Sequence, residues 1–329
     1  MPSSGLRNVN GSIPFVDRVE ELRKLMKWVE EGFYPVLFIY GPEGCGKTRL
    51  LRELVSRIVD RDDCLAIYID AQEVVDPKRA IYVSRDVLDI VADIVSSLVQ
   101  PVGKALAVYR VARILAERRA RGKHVVIAID DVAKPLGPDI VESYAKKLLD
   151  LVEELESMGA SSVFIVATSS EGASIKVLAR HNYVSLTMVW NLDPESFESL
   201  LNVLKAPTHL RERIYELLGG NPRLAIELAK RRWRIDELLE EVRTRIAATL
   251  LDFVYEYREE LAEVVENVDK LTKYPTIAKT LLETNLVIPV VRPCLGYTPP
   301  PSKDLGIGRY YAWQAPAYMH VLRELLQST

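Results

Sequence analysis

Residues 36–48 read Val36-Leu37-Phe38-Ile39-Tyr40-Gly41-Pro42-Glu43-Gly44-Cys45-Gly46-Lys47-Thr48. The first five are apolar or aromatic and predict a buried strand. The last eight have the spacing Gly-x4-Gly-Lys-Thr, and an amphipathic segment follows them to about Val59. A strand, a glycine-rich loop and a helix in this order predict a loop whose backbone N–H groups wrap phosphates.

Each part of this loop has a predicted role in binding a nucleoside triphosphate, ATP in our interpretation. The glycines let successive N–H groups turn inwards, and the N-terminus of the following helix adds partial positive charge. Lys47 is expected to reach the β- and γ-phosphates, and Thr48 to bind Mg²⁺. Cys45 is interpreted as a small space-filling residue. The nucleotide-binding residues predicted here are Gly41, Pro42, Glu43, Gly44, Cys45, Gly46, Lys47 and Thr48.

A second acidic site is predicted where another apolar run, 125–129, ends in Asp130-Asp131. A strand would deliver Asp130 to the carboxyl edge of the sheet, where ligands bind in such folds. We expect Asp130 to hold Mg²⁺ through a water molecule and Asp131 to act as the general base on the attacking water. Asp is one methylene shorter than the Glu often found at this position, so slow hydrolysis is expected.

Strands and helices alternate over the first 192 residues, which predicts a parallel sheet covered by helices on both faces. Three short helices are predicted at 193–234, and a helical stretch with a two-stranded ribbon and a closing helix at 235–329. The expected architecture is an α/β nucleotide-binding domain, a small helical domain and a winged-helix-like domain. The predicted elements of the first domain are strands at 65–69, 125–129, 163–167 and 184–189, helical segments at 79–121, and a helix at about 138–158.

Composition sets limits on the class of protein. Hydrophobic residues make up 48% and charged residues 27%, and no apolar run reaches the ~18 residues of a membrane span. The start of the chain lacks a signal-peptide pattern, so a cytoplasmic location is expected. Three scattered cysteines favour reduced thiols over disulfides or zinc. Scarce Asn and Gln with plentiful Arg, Glu, Val and Ile favour a thermophilic source.

Three motifs together resemble the AAA+ ATPases and their relatives, most of all the archaeal STAND-like ATPases. Residues 13–22 read Ile-Pro-Phe-Val-Asp-Arg-x-x-Glu-Leu and are similar to the family's N-terminal box. Thr168 ends a strand at the position of the polar sensor 1 residue. Residues 219–223, Gly-Gly-Asn-Pro-Arg, match the family's GNP[R/L] motif. The resemblance covers roughly residues 10–235.

The resemblance implies further site residues. The N-terminal box would line the adenine pocket, with Val16 and Arg18, and Pro222 would join them. Arg223 would stand where sensor 2 contacts the γ-phosphate. Each has an alternative: Arg18 pairing with Glu21 on the helix surface, Thr168 as a strand-end cap, and the Asn-Pro pair as an ordinary helix start. Arg180 is a candidate arginine finger, with a solvated surface arginine as its alternative.

A rival interpretation places the base elsewhere. Residues 68–73, Tyr-Ile-Asp-Ala-Gln-Glu, are similar to the segment that carries the catalytic glutamate of RecA-type ATPases. In that case Glu73, and not Asp131, would be the base. The N-terminal box and the small helical domain argue against it.

Charge in the last part of the chain leaves two partners open. Residues 235–269 carry eleven acidic and three basic residues, whereas residues 270–323 carry seven basic and two acidic ones. The basic part coincides with the predicted winged helix and could grip duplex DNA. It could instead be a protein-interaction module whose basic face docks on the acidic helices.

Three functions follow as hypotheses. The first is an ATP hydrolase acting as a nucleotide-driven conformational switch, with Arg223 sensing the γ-phosphate. The second is a DNA-binding regulator or replication-initiator-like protein that uses ATP mainly as a structural ligand. A small-molecule kinase is disfavoured, because no acceptor site is evident and a water-activating Asp131 would waste ATP. The oligomeric state is not predicted.

Overall fold

The described part of the chain divides into two compact units. The first comprises the described residues of Met1–Tyr40 and Lys47–Thr187, and the second comprises those of Gly41–Gly46 and Met188–Thr329. The chain therefore contributes its phosphate loop, up to Gly46, to the second unit. The structure is a computed structural model that describes residues 15–70, 81–83, 113, 120–131, 138–169, 175 and 177–328, of which 81–83, 138–140 and 328 are described by backbone alone.

One six-stranded sheet forms the centre of the first unit. Its strands are β1 (Val36–Tyr40), β2 (Cys64–Asp70), β3 (Ile81–Val83), β4 (His124–Asp130), β5 (Ser162–Ser169) and β6 (Val184–Met188). Their order across the sheet is β3-β2-β4-β5-β1-β6. Strands β2, β4, β5 and β1 pair in parallel, which confirms the predicted parallel sheet. Because β5 lies between β4 and β1, the end of β5 separates the acidic pair from the strand that precedes the phosphate loop.

The edge strand β3 corrects one expectation. The sequence predicts helical segments over residues 79–121, yet Ile81–Val83 forms a strand that pairs antiparallel with β2. Two β-branched residues and a tyrosine suit a pleated edge better than a helix. The rest of that segment lies almost entirely outside the described residues.

Helices cover both faces of this sheet. They are α1 (Val19–Glu31), α2 (Lys47–Ile58) and α3 (Pro138–Ser157). Side chains alternate between the faces of a strand, so Val125, Ile127 and Ile129 of β4 point to one face and form a core with α3. The opposite face meets α1 and α2: Trp28 of α1 lies edge-on to Phe164, with ring centroids 5.9 Å apart. The helix that begins at Lys47 therefore covers the same face as Ala128 and Asp130.

The second unit is mainly helical. The three short helices predicted at 193–234 are confirmed as α4 (Pro194–Val203), α5 (Arg211–Leu218) and α6 (Pro222–Lys230), with a 3₁₀ turn at Thr208–Leu210 before α5. The side chain of Asn221 accepts the Leu224 N–H at 3.1 Å, so it caps α6 as its sequence predicts. The helical stretch that follows divides into α7 (Ile235–Glu256) and α8 (Arg258–Glu266).

A two-stranded ribbon and a final helix complete this unit, as predicted. Strand β7 (Val287–Pro289) pairs antiparallel with β8 (Tyr311–Trp313), and α10 (Pro316–Ser328) follows. A 3₁₀ turn, Val268–Thr272, and helix α9 (Pro275–Glu283), which the sequence analysis did not single out, precede the ribbon. One apolar core joins α7, α8, α9, β7, β8 and α10. The winged-helix assignment and the boundaries 1–192, 193–234 and 235–329 stay predictions.

Asp269 fixes the tip of the ribbon. Its carboxylate accepts backbone N–H groups from Arg309, Tyr310 and Tyr311 at 2.7, 2.9 and 3.1 Å. A Cβ atom at Gly308 would lie 2.3 Å from the same carboxylate, so this turn requires glycine. In the described part of the chain, no helix is both long enough and apolar enough to cross a membrane.

Candidate nucleotide site

Three polar side chains meet on one face of the sheet in the first unit. Tyr68 of β2, Asp130 of β4 and Thr168 of β5 lie on the face that α2 covers, because each follows the alternation of its strand. They stand at the carboxyl ends of neighbouring strands, where Asp70 pairs with Asp130 and Thr168 with Ile39 of β1. Ligands of open parallel sheets bind beyond this edge.

Both carboxylate oxygens of Asp130 accept hydrogen bonds. Thr168 Oγ1 donates to Oδ1 at 2.6 Å, and the Tyr68 hydroxyl donates to Oδ2 at 3.0 Å. Asp130 is only 3% exposed. A carboxylate offers about four lone-pair positions, so two donors orient it and still leave it able to accept from a hydrated cation. Hard oxygen donors of this kind suit Mg²⁺.

Thr168 also holds the second aspartate of the pair. Its Oγ1 accepts the backbone N–H of Asp131 at 2.8 Å while it donates to Asp130. Asp131 has φ of 50°, in the left-handed region that few residues other than Gly, Asn and Asp adopt. The chain therefore turns sharply after β4, and a single buried hydroxyl fixes both acidic residues.

Tyr68 and Arg52 extend this network, and the sequence analysis did not single them out as site residues. Arg52 of α2 donates to the Tyr68 oxygen at 3.1 Å and to Asp70 Oδ2 at 3.2 Å. Burial, and next to it the Asp130 carboxylate, raises the pKa of Tyr68, so the phenol stays protonated and donates. A tyrosine two residues before the end of an apolar strand is the only sequence signal for this role.

The phosphate loop lies in the second unit up to Gly46, and two of its glycines are required by close contacts there. A Cβ atom at Gly41 would lie 1.9 Å from the carbonyl oxygen of Val189. At Gly44, with φ of +80°, it would lie 2.6 Å from Cβ of Arg223. Cys45 is buried and its Sγ donates to Val189 O at 3.5 Å, in keeping with a space-filling role.

A closed ring of hydrogen bonds holds the Glu43 peptide of this loop. The Glu43 N–H donates to Gln314 Oε1 at 2.6 Å, and its carbonyl accepts from Asn221 Nδ2 at 2.8 Å. Asn221 Nδ2 also donates to Asn191 Oδ1 at 3.1 Å, and Asn191 Nδ2 donates to the Gln314 carbonyl at 3.3 Å. We call Asn191, Asn221 and Gln314 the amide ring. All three are at most 2% exposed.

Arg223, the predicted sensor 2 residue, contacts the same loop. Its guanidinium pairs with Glu43 Oε1 at 3.1 Å and with Glu227 Oε1 at 3.1 Å, and its backbone N–H donates to Gly44 O at 3.4 Å. Pro222, beside it, is the first residue of α6 and is half-buried. The Gly-Gly-Asn-Pro-Arg motif therefore supplies both a buried amide and an exposed arginine to the phosphate loop.

The remaining predicted residues of the first unit are placed as follows. Lys47 is buried at the start of α2, whereas Thr48 is exposed. Val16 is half-buried. The guanidinium of Arg18 lies 2.8 Å from Glu21 Oε1, so the expected pair is present, but both side chains are buried and do not lie on the helix surface. The adenine-pocket role of this box stays a prediction. Arg180 is exposed, and Glu73 lies outside the described residues.

The first unit thus brings Asp130, Asp131 and Thr168 together, and the second brings the loop residues Glu43 and Gly44 to Arg223. A parallel sheet with this strand order, a phosphate loop after β1 and an acidic pair after β4 define a P-loop ATPase of the AAA+-like type. A family model described as an ATPase domain predominantly from Archaea matches residues 15–228. The chain belongs to that family of archaeal ATPase domains.

The sequence identities to individual relatives are low. The chain is similar to an uncharacterized ATP-binding protein of Methanocaldococcus jannaschii, with 20% identity over 93% of this chain and 97% of that protein. It is also similar to an uncharacterized ATP-binding protein of Pyrococcus abyssi, with 24% identity over 73% of this chain and 80% of that protein. One similar solved structure is the replication initiator DnaA bound to AMPPCP and single-stranded DNA, at 15% identity, 74% and 71% coverage of the two chains and a TM-score of 0.41.

Proposed function

We propose that this protein is a magnesium-dependent ATP hydrolase whose bound nucleotide switches the conformation of the chain. One observation carries the proposal: Asp130 is buried and oriented by two donors, with Asp131 held beside it by the same threonine. A structural aspartate at a turn does not need such an arrangement. Family membership and the ATP-binding names of the relatives support ATP as the nucleotide.

The binding roles follow from residue chemistry. The backbone of Gly41–Gly46 wraps the phosphates, Lys47 pairs with the β- and γ-phosphates, and Val16, Arg18 and Pro222 border the adenine. Thr48 and Asp130 would hold Mg²⁺. The ion, when bound, neutralises charge on the phosphates. Arg223 reports on the γ-phosphate.

Hydrolysis needs a base and a positioned water. In the proposed step, Asp131 accepts a proton from water as the water oxygen bonds to the γ-phosphorus, and the bond from that phosphorus to the β–γ bridging oxygen breaks. The products are ADP and inorganic phosphate. Thr168 positions Asp131 through its backbone N–H, and so links the acid that binds the cation to the acid that takes the proton.

Comparing two variants tests this assignment. Asp131→Asn should bind ATP as the wild type does and lose hydrolysis, because an amide cannot take the proton. Glu73→Gln, which removes the rival base, should hydrolyse ATP at the wild-type rate. The measurement is phosphate release together with a nucleotide titration. Normal turnover in Asp131→Asn would end the proposal, and loss of turnover in Glu73→Gln alone would favour the RecA-type assignment.

The switch is supported by the bonds between the phosphate loop and the rest of the second unit. Glu43 contacts α6 through Arg223 and Asn221 and the segment after β8 through Gln314. A movement of the loop on loss of the γ-phosphate has a direct route to these elements. Limited proteolysis with ADP and with a non-hydrolysable ATP analogue should give different cleavage patterns. The same pattern in both states would argue against a switch.

Duplex DNA is the second candidate partner, with ATP as a structural ligand. At the ribbon tip Tyr310 is exposed and Arg309 lies over its ring at 5.4 Å, a pair suited to a nucleic-acid backbone. Other basic residues are already engaged: Lys270 pairs with Glu263 and Arg323 with Glu266, both at 3.4 Å. That engagement favours the protein-interaction alternative. Salt-dependent binding of duplex DNA, lost in Arg309→Gln, would favour the DNA-binding function, and no binding at low salt would end it.

A further inference from the structure

Gln314 connects the far end of the sequence to the phosphate loop. It lies between β8 and α10, 271 residues after Glu43 and outside the segment 15–228 that the family model matches. Its Oε1 accepts the Glu43 N–H at 2.6 Å, and the side chain is almost fully buried. Nothing in the family match therefore assigns a role to this residue.

The orientation of the Gln314 amide is fixed by its partners. The Glu43 N–H can only donate, so the atom facing it must be the side-chain oxygen. The backbone of Gln314 is also held, because its N–H donates to Leu286 O at 3.0 Å and its carbonyl accepts from Asn191. The side chain thus projects at the loop from a fixed point at the end of the ribbon.

Packing stability does not explain a glutamine here. Among the described residues none accepts a hydrogen bond from Gln314 Nε2, which is buried. A buried donor without an acceptor costs stability, and an apolar side chain of similar length would avoid that cost. The gain from glutamine lies in the bond that its oxygen makes to the loop.

That bond determines the direction of a peptide in the phosphate loop. Gln314 holds the N–H of Glu43 and Asn221 holds its carbonyl, so the plane of this peptide is fixed at both ends. The residues that follow, including Gly44 with φ of +80°, continue from that plane. A loop that wraps phosphates with successive N–H groups depends on such orientation, and holding it in advance lowers the cost of binding.

We propose that Gln314 is a positioning residue for the phosphate loop, through which nucleotide binding and the attachment of the ribbon to the loop strengthen one another. The coupling is reciprocal: whatever the bond to Gln314 adds to nucleotide affinity, bound nucleotide adds to the stability of that bond. The inference rests on nucleotide binding within the proposed function, and it does not require hydrolysis.

The test uses the full chain with Gln314→Met, which keeps an unbranched side chain and removes the acceptor. Gln314→Asn, which keeps a buried amide one methylene too short to reach the loop, is the second variant. Thr298→Val is the matched control, because Thr298 Oγ1 accepts the Cys294 N–H at 2.9 Å in the same unit. It removes one bond of the same type without touching the loop. Circular dichroism checks that each variant folds.

Two measurements decide the outcome. The first is the Kd for Mg-ADP and for a Mg-bound non-hydrolysable ATP analogue, and the second is amide hydrogen exchange of residues 311–315 with and without nucleotide. We expect nucleotide to slow exchange there in the wild type and in Thr298→Val. In the Gln314 variants we expect Kd to rise about fivefold or more, and the slowing to be lost even at saturation.

Unchanged Kd and unchanged slowing in a folded Gln314 variant would overturn the inference, while leaving the proposed hydrolase intact. If the wild-type protein binds nucleotide but does not hydrolyse it, the proposed hydrolase function is wrong. The role of Gln314 in nucleotide binding can still be measured in that case.

Discussion

Tyr68 donates its hydroxyl hydrogen bond to Asp130 Oδ2 across 3.0 Å, from the strand that neighbours β4. Both residues are buried, and Arg52 donates to the same tyrosine oxygen from the helix that begins at Lys47. The carboxylate proposed to hold the cation is thus oriented by a chain of donors that runs back to the phosphate-loop helix.

Tyr68→Phe should lower both the free energy of unfolding and the rate of ATP hydrolysis. The variant keeps the ring but leaves a buried carboxylate oxygen without its donor, which should lower the free energy of unfolding by about 1.5–3 kcal/mol. Urea denaturation measures this, and turnover should fall because Asp130 loses its orientation. Tyr144→Phe is the control, since no described residue bonds the buried Tyr144 hydroxyl. It should cost no stability, and an equal loss in both variants would contradict the assignment.

Thr168→Val should reduce turnover at least about tenfold, the equivalent of about 1.4 kcal/mol of transition-state stabilisation. Valine keeps the branched shape of threonine but offers neither a donor to Asp130 nor an acceptor for the Asp131 N–H. Thr168→Ser keeps the hydroxyl and should retain most of the activity. Phosphate release at saturating ATP distinguishes them. If the serine variant is as slow as the valine variant, the hydroxyl is not what positions the acids.

Asn221→Asp separates helix capping from loop positioning. Aspartate caps a helix as well as asparagine does, so α6 should still begin at Pro222. It has no N–H to donate to the Glu43 carbonyl or to Asn191, so nucleotide Kd should rise about five- to tenfold, measured by titration calorimetry. Asn267→Asp changes another capping asparagine of the second unit and should leave Kd unchanged. Wild-type affinity in Asn221→Asp would show that the amide donor is dispensable.

Asp269→Asn should loosen the ribbon tip. A carboxylate accepts three backbone N–H groups here, whereas an amide has one oxygen and no charge, so we expect a loss of about 1–3 kcal/mol in unfolding free energy. Faster hydrogen exchange at residues 309–311 would be the local signature. Asp304→Asn, an exposed aspartate in the preceding loop, should change neither quantity. Unaltered exchange in Asp269→Asn would show that the Asp269 carboxylate does not fix the tip of the ribbon.

The sequence predicted those parts of the fold and site that leave a local pattern. Apolar runs located β1, β2, β4, β5 and β6, and glycine spacing located the phosphate loop. Asn221 was recognisable because asparagine is a favoured N-cap residue and proline is favoured at the first helical position that follows it. Strand β3 was missed because a three-residue strand within a helical pattern carries too few residues to change the period.

Contacts between distant residues left no such pattern. The bond between Tyr68 and Asp130 depends on the register of β2 against β4, which a single sequence does not reveal. Gln314 and Glu43 lie 271 residues apart. One signal was available: Gln314 is the only polar residue between Ala312 and Ala317, and a buried amide in an apolar run calls for a partner.

The amide ring has a consequence for the conditions under which the protein works. Carboxamides neither gain nor lose protons across the physiological range, and they carry no net charge for dissolved ions to screen. The ion pair between Arg223 and Glu43 is about half-exposed and weakens as ionic strength rises. The neutral bonds to Glu43 should therefore keep the phosphate loop in shape in concentrated salt, where a loop held by charges alone would loosen.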